Sequence, residues 1–248
     1  MRGRELTRGD RGVSDLLAFT LTFSIIVGSI ALVSLGGLGA FETIQHGAAT
    51  DVAETTMVGF AETTSDHVRD GAPRRTTSIR LQGHGLSQRS SAINVTVDGD
   101  STAIQTRTLV RETDSGTDIV YTSGAVFRVQ REGLVVSREP SFRCSPDSAY
   151  LSVLTLTGQT NFSAADRVTL ETTLRDETLV SPAPGDAPSA ATVSVNVSDT
   201  AYPAAWQRFF ERNAPRWDSH PSESYTYRCT GIERAVVHNT SVSLRTIT

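Results

Sequence analysis

The sequence predicts an α+β fold in which a long N-terminal hydrophobic helix precedes a mainly antiparallel β head with one short helix. Three observations predict it. Leu16 to Phe41 contains twenty-six residues without a single charge, which is about 39 Å of helix at roughly 1.5 Å per residue. Glu42 to Val68 is free of proline and sets Phe41, Ile44, Ala48, Val52, Met57, Phe60, Ala61 and Val68 on one stripe, with Glu42, Asp51, Glu54 and Asp66 elsewhere; that is the period of an amphipathic helix. Beyond the breakers Asp70-Gly71-Ala72-Pro73, short runs of β-branched and apolar residues alternate with turn formers, the pattern of hairpin-linked strands.

The first element exceeds the roughly 30 Å of a bilayer's hydrocarbon core, so it can cross a membrane. Arg2, Arg4, Arg8 and Arg11 precede it and Glu42, Asp51 and Glu54 follow it, so the positive-inside bias puts the N-terminus in the cytoplasm and exports the remainder. A secretory signal has an apolar region of only about 7 to 15 residues and a small-x-small cleavage site; Leu38-Gly39-Ala40 matches that site poorly. Gly36, Gly37 and Gly39 lie between the two helical halves and cost helix stability, so a bend or local unwinding is expected there.

Strands are expected at Ser78–Leu81, Ala92–Val97, Ile104–Val110, Ile119–Tyr121, Ala125–Val129 and Leu134–Val136, then at Tyr150–Leu156, Val168–Leu174, Thr192–Val197, Tyr225–Cys229, Ala235–His238 and Val242–Ile247. Asp98-Gly99-Asp100, Asp114-Ser115-Gly116 and Arg131-Glu132-Gly133 read as hairpin turns. The Pro-rich segment 181–188 either divides the head into two lobes or forms a long surface loop. One helix is expected among the strands: Asp199 can cap it, Pro203 suits its first turn, and Trp206, Phe209 and Phe210 share one face. That face either packs on a sheet or, with Trp217, presents an aromatic platform to a partner or glycan.

All 23 basic residues are arginine, and the chain carries a net charge of −4. Without residues 1–12 the balance is 19 arginines against 25 acids, or −6, which argues against a nucleic-acid partner because phosphate neutralisation needs a basic face. Four of the five asparagines, Asn94, Asn161, Asn196 and Asn239, begin Asn-x-Ser/Thr, marking candidate glycosylation sites on exported chain. Cys144 and Cys229 are the only cysteines and lack metal-ligand spacing. Either they form a disulfide, which would stabilise the fold by roughly 4 kcal/mol in the chain-entropy model, or they are two separate buried thiols.

No cofactor or metal motif is present, and neither His-Glu-x-x-His, Gly-x-Ser-x-Gly nor a phosphate-binding loop occurs. The five histidines, His46, His67, His84, His220 and His238, are scattered. The pairs Asp98/Asp100 and Asp114/Asp118 are either solvated turns or partial calcium ligands without a full set.

Arg11-Gly12-Val13-Ser14, followed by Asp15-Leu16-Leu17 and the apolar helix, resembles the leader of haloarchaeal type IV pilin-like proteins. The runs Ile119–Phe127 and Ala204–Phe210 are similar to that group as well. The resemblance implies a class III signal peptide cut by a prepilin peptidase between Gly12 and Val13, leaving a leader of 1–12, a transmembrane and spine helix of 13–70, and an extracellular head of 71–248. It implies that Leu16, Leu17, Phe19, Phe23, Ile26, Val27 and Ile30 first face the membrane and then pack against other pilin-like subunits in an adhesive surface filament. The glutamate that bacterial pilins carry at the fifth mature position is Leu17 here, so its role is not carried over. The size of the head suits a minor subunit better than a major one, and no enzymatic activity is expected. Two further classes fit the residues: a single-pass envelope protein with a ligand-binding β head, and a secreted or anchored hydrolase whose catalytic groups converge only in the fold.

Overall fold

The computed structural model describes residues 10–81, 85–113, 116–131, 133–158, 162, 167–182 and 190–247, with backbone alone for 10–14 and 35–46. The fold is α+β. It begins with α1 (Asp10–Asp70), 61 residues long and helical through Gly36, Gly37 and Gly39. The expected unwinding at these glycines is therefore not found. Backbone hydrogen bonding across neighbouring turns outweighs the roughly 1 kcal/mol that each glycine costs relative to alanine. The chain forms two compact units, residues 1–48 and 49–248, so their boundary lies inside α1.

The second unit contains two sheets. One has the order β1-β9-β13-β8-β7, from β1 (Arg74–Arg80), β7 (Ser141–Cys144), β8 (Ser148–Thr157), β9 (Arg167–Ser181) and β13 (Arg234–Ile247). The other has the order β11-β12-β10-β2-β3-β4-β5-β6, from β2 (Leu86–Val97), β3 (Asp100–Glu112), β4 (Asp118–Thr122), β5 (Ala125–Gln130), β6 (Gly133–Arg138), β10 (Thr192–Asn196), β11 (Asp218–Ser219) and β12 (Thr226–Thr230). Among the described residues all pairings are antiparallel except β13 with β8. Strands from both sides of segment 181–188 enter both sheets, so that segment does not separate one sheet from the other.

Turn chemistry fixes the hairpins. Asp98 and Gly99 join β2 to β3 with φ of 47° and 103°, the left-handed pair that a two-residue hairpin turn requires and that Asp-Gly readily supplies. Ser123 and Gly124 do the same between β4 and β5, with φ of 45° and 80°; the alternation around them masks this turn in the sequence. The two runs expected at 235–238 and 242–247 form a single strand, β13, because its pairing with β8 is unbroken from Arg234 to Ser243. Its pairing with β9 absorbs two register shifts instead.

Two apolar cores form on opposite faces of the strands. Ile93, Val110, Val120 and Phe127 face the first core, together with Leu151, Val153 and the short helix α2 (Pro203–Arg212). Leu109, Ile119, Tyr121 and Val126 face the second, together with Leu154, Leu156, Val242 and Leu244. Adjacent residues in one strand thus enter different cores, as the period of two demands. The C-terminal half of α1 covers the second core with Ala53, Met57, Phe60 and Ala61.

The buried stripe of α1 also includes Thr50, Thr64 and His67, whereas Val52 is 41% exposed. Val52 was expected on the stripe; it lies one position off the helical repeat that runs through Ala53, Met57, Phe60, Thr64 and His67. The buried polar members are paired within the core. Thr64 Oγ1 lies 3.0 Å from the Tyr121 hydroxyl, and burial pushes the Tyr121 pKa up to about 12. His67 Nε2 lies 2.9 Å from Thr172 Oγ1, and its Nδ1 contacts the Ala72 carbonyl just past the helix end.

Candidate functional site

Asp15–Ser34 is long and apolar enough to cross a membrane, with mean hydropathy 2.4 and none of it buried in the protein. Leu16, Leu17, Phe19, Phe23, Ile26, Val27 and Ile30 are all exposed, from 47% at Val27 to 67% at Phe19. So continuous an apolar surface needs lipid or another apolar partner to cover it. Three of the hydroxyls in the segment bond back to the helix itself. Thr20 Oγ1 donates to the carbonyls of Leu16 and Leu17 at 3.0 Å, Thr22 Oγ1 to Ala18 at 2.8 Å, and Ser29 Oγ to Ile25 at 2.7 Å. Hydroxyls bonded in this way need nothing from the surroundings, which is what a hydrocarbon environment requires. This N-terminal apolar helix can serve as a membrane anchor or as a signal sequence. Gly12 and Val13 lie in its first turn, where backbone N–H groups have no intrahelical acceptor and unwinding is easiest.

Three of the four sequon asparagines fall on strands. Asn94 on β2 and Asn196 on β10 are directly opposed across the ladder. Asn94 Nδ2 donates to Asp199 Oδ2 at 3.3 Å, and Asn196 Nδ2 to Thr226 Oγ1 at 2.7 Å. Asn239 lies mid-strand in β13, where its Oδ1 accepts from Thr155 Oγ1 at 2.5 Å. Asn161 lies outside the described residues. A glycan at Asn94 or Asn196 would replace one of the two hydrogens on Nδ2, the atom that makes each of these hydrogen bonds.

Cys144 and Cys229 are joined in a disulfide with a Cα–Cα distance of 5.8 Å, tying β7 in the first sheet to β12 in the second. The aromatic residues 206, 209, 210 and 217 are core rather than a platform. Trp206, Phe209, Phe210 and Trp217 are at most 2% exposed, and Phe210 stacks on Tyr227 with centroids 4.2 Å apart. Asp199 does not cap α2, whose N-cap is Tyr202 without a side-chain bond; the Asp199 backbone carbonyl and carboxylate instead serve β2 through Ala92 and Asn94. The Asp98 carboxylate accepts the N–H groups of Ala191 at 3.0 Å and Thr192 at 2.8 Å, so it ties the β2–β3 turn to the start of β10. Asp118 accepts from the Tyr202 hydroxyl at 2.7 Å, and Asp114 lies outside the described residues. Among the described residues no group of three or more His, Cys, Asp or Glu could hold a metal.

One buried arginine and one group of four escape a reading of the sequence. Arg111 is fully buried, with Nη2 on the Leu81 carbonyl at 3.1 Å and Nη1 on that of Arg80; burial lowers its pKa. It thereby ties β3 to the end of β1. Four others, Arg69, Arg138, Arg143 and Arg216, come from separate segments to line one cleft. No spacing in the sequence brings them together.

The chain belongs to DUF7289, a family of unknown function, whose match runs over residues 11–245 and so includes both the apolar helix and the β domain. No curated protein and no solved structure matches it.

Proposed function

We propose that this chain is an archaeal type IV pilin-like surface subunit. A prepilin peptidase removes residues 1–12 after Gly12, and the apolar half of α1 then holds the subunit in the membrane with its head outside. On assembly, Leu16, Leu17, Phe19, Phe23, Ile26, Val27 and Ile30 exchange lipid for the helices of neighbouring subunits. The role is adhesion or surface contact, as a minor subunit, and it is physical rather than catalytic.

The observation that carries this reading is the division of labour along α1. Leu16 to Ser34 is uncharged and exposed and follows Arg11-Gly12-Val13-Ser14-Asp15; the other half, from Thr50 to His67, is built into the core of the head. A cleavable secretory signal has no reason to continue as a core helix of the mature domain. Mass spectrometry of the N-terminus from membrane and extracellular fractions, alongside Gly12→Phe, tests the proposal. A start at Val13 that is lost in the variant is expected. A start at Met1 or Arg2 refutes processing and leaves a permanently anchored envelope protein, and a start near Phe41 indicates a secreted one.

A further inference from the structure

The cleft holding the four arginines has a volume of about 700 Å³. The C-terminal turns of α1 supply Ser65 and Arg69, the β4–β5 turn Ser123, the end of β6 Arg138, β7 Arg143, and the loop after α2 Arg216. Its charge runs against that of the whole chain, which is net negative. The one carboxylate in the lining, Glu139, is 3.9 Å from Arg212, which lies outside the cleft. Arg69 has Asp66 at 3.5 Å, whereas Arg143 and Arg216 form no ion pair among the described residues.

Two details point to a ligand. Arg138 is fixed by donating to the Gly124 carbonyl and, at 2.8 Å, to Ser65 Oγ, so a guanidinium is held in place beside like charge. Burial draws the pKa of Arg138 below its ordinary value, and repulsion from Arg69 adds to this against the opposing influence of Tyr121 and Glu62. An anion between these groups would relieve both effects. Ser123 is only 1% exposed and lines the cleft, yet its hydroxyl has no hydrogen-bond partner, and buried hydroxyls in native proteins are ordinarily paired.

We infer that this cleft binds an acidic oligosaccharide through Arg69, Arg138, Arg143 and Arg216, with Ser123 and its neighbouring hydroxyls meeting the sugar hydroxyls. The volume exceeds that of a simple oxyanion and suits a few sugar units, being within the range of about 300–1,000 Å³ usual for small-ligand sites. The hydroxyls of Ser141 and Ser152, which line the cleft without an internal hydrogen bond among the described residues, can both donate and accept, as polyhydroxyl ligands need and a bare anion does not; Ser65, Ser145 and Asn213 already bond to Ala61, Ser148 and Phe209. Guanidinium pairs take carboxylate or sulfate groups in two-point contacts. The site is independent of filament assembly.

The test is calorimetric titration of the full-length chain in detergent with a galacturonate tetramer and a chondroitin sulfate tetrasaccharide, with maltotetraose and sodium sulfate as comparisons. Either acidic saccharide should bind more tightly than both comparisons. Arg143→Ser with Arg216→Ser should weaken binding by about tenfold or more, as loss of interface arginines commonly does. Arg131→Ser with Arg167→Ser, an equal charge change at exposed sites outside the cleft lining, should change it by less than about twofold. Near-ultraviolet circular dichroism of each variant should match the parent. Equal weakening by the two double variants overturns the site. Equally tight maltotetraose overturns the role of charge, and equally tight sulfate overturns the saccharide. Binding of neither acidic probe overturns the inference as a whole.

Discussion

Phe60→Ala asks whether the second half of α1 is a core element or an appendage. Phe60 is fully buried in the second core, with its ring edge-to-face to Tyr121 at a centroid distance of 4.9 Å. The Tyr121 hydroxyl returns to the helix at Thr64, 3.0 Å away, so the truncation also loosens the partner of a buried hydrogen bond. Truncating a buried phenylalanine costs about 3–5 kcal/mol through lost transfer energy and the cavity left behind. For a domain of this size each kcal/mol lowers Tm by about 2–4 °C, so the expected drop is about 6–20 °C. Val52→Ala on the same helix, where the side chain is 41% exposed, should cost no more than about 0.5 kcal/mol. Thermal melts of the full-length chain in detergent, followed by near-ultraviolet circular dichroism, report on the β domain rather than on the membrane helix. If Phe60→Ala and Val52→Ala melt together, the packing of α1 on the sheets does not stabilise the domain and the reasoning fails.

Other outcomes follow from single contacts. Reducing the disulfide, or replacing Cys144 and Cys229 by serine, opens a loop with a sequence separation of 85 and should cost roughly 4 kcal/mol in the chain-entropy model, read as a lower denaturant midpoint; an unchanged midpoint would contradict it. Arg245 donates to Glu171 at 2.6 Å, and this hydrogen bond, with the charges of Arg245 and Arg74, holds the Glu171 carboxyl below its ordinary value of 4.5. A depressed acid contributes stability that is complete above its unfolded pKa and is lost as pH falls through the folded one. The stability difference between the parent and Glu171→Gln should therefore be constant above the usual carboxylate range and shrink as pH falls below about 4.5; a pH-independent difference would refute the linkage. Gly158→Ala should destabilise by about 1–3 kcal/mol, because φ is +88° and the new Cβ would sit 2.8 Å from the Leu244 carbonyl oxygen.

Local periodicity made most of the fold legible. The uncharged run, the helix through Phe60 and the Asp98-Gly99 hairpin each announce themselves within a dozen residues. What stayed hidden depends on distant partners. Val52 and His67 could exchange burial without changing the helical character of the segment, and only Thr172 and the Ala72 carbonyl decide in favour of His67. β7 is four residues long, with alternate polar side chains, and exists as a strand because β8 pairs with it. Trp206, Phe209 and Phe210 have the spacing of one helix face, but spacing cannot distinguish a buried face from a presented one; Phe142, Trp217 and Tyr227 close around them and settle it. The arginine cleft is the extreme case, since its residues are separated along the chain by as many as 147 positions, from 69 to 216, and share no local pattern.

The position of the unit boundary inside α1 has a practical meaning for anyone who wants the domain in water. The breakers at Gly71 and Pro73 invite a truncation there, yet a chain beginning at residue 71 would leave the second core open where Ala53, Met57, Phe60 and Ala61 belong. A chain beginning at residue 48 would keep those side chains and shed all of Asp15–Ser34. The membrane-crossing capacity and the core-packing stripe can thus be parted by one cut in the middle of a helix, and a cut at the end of that helix parts the wrong things.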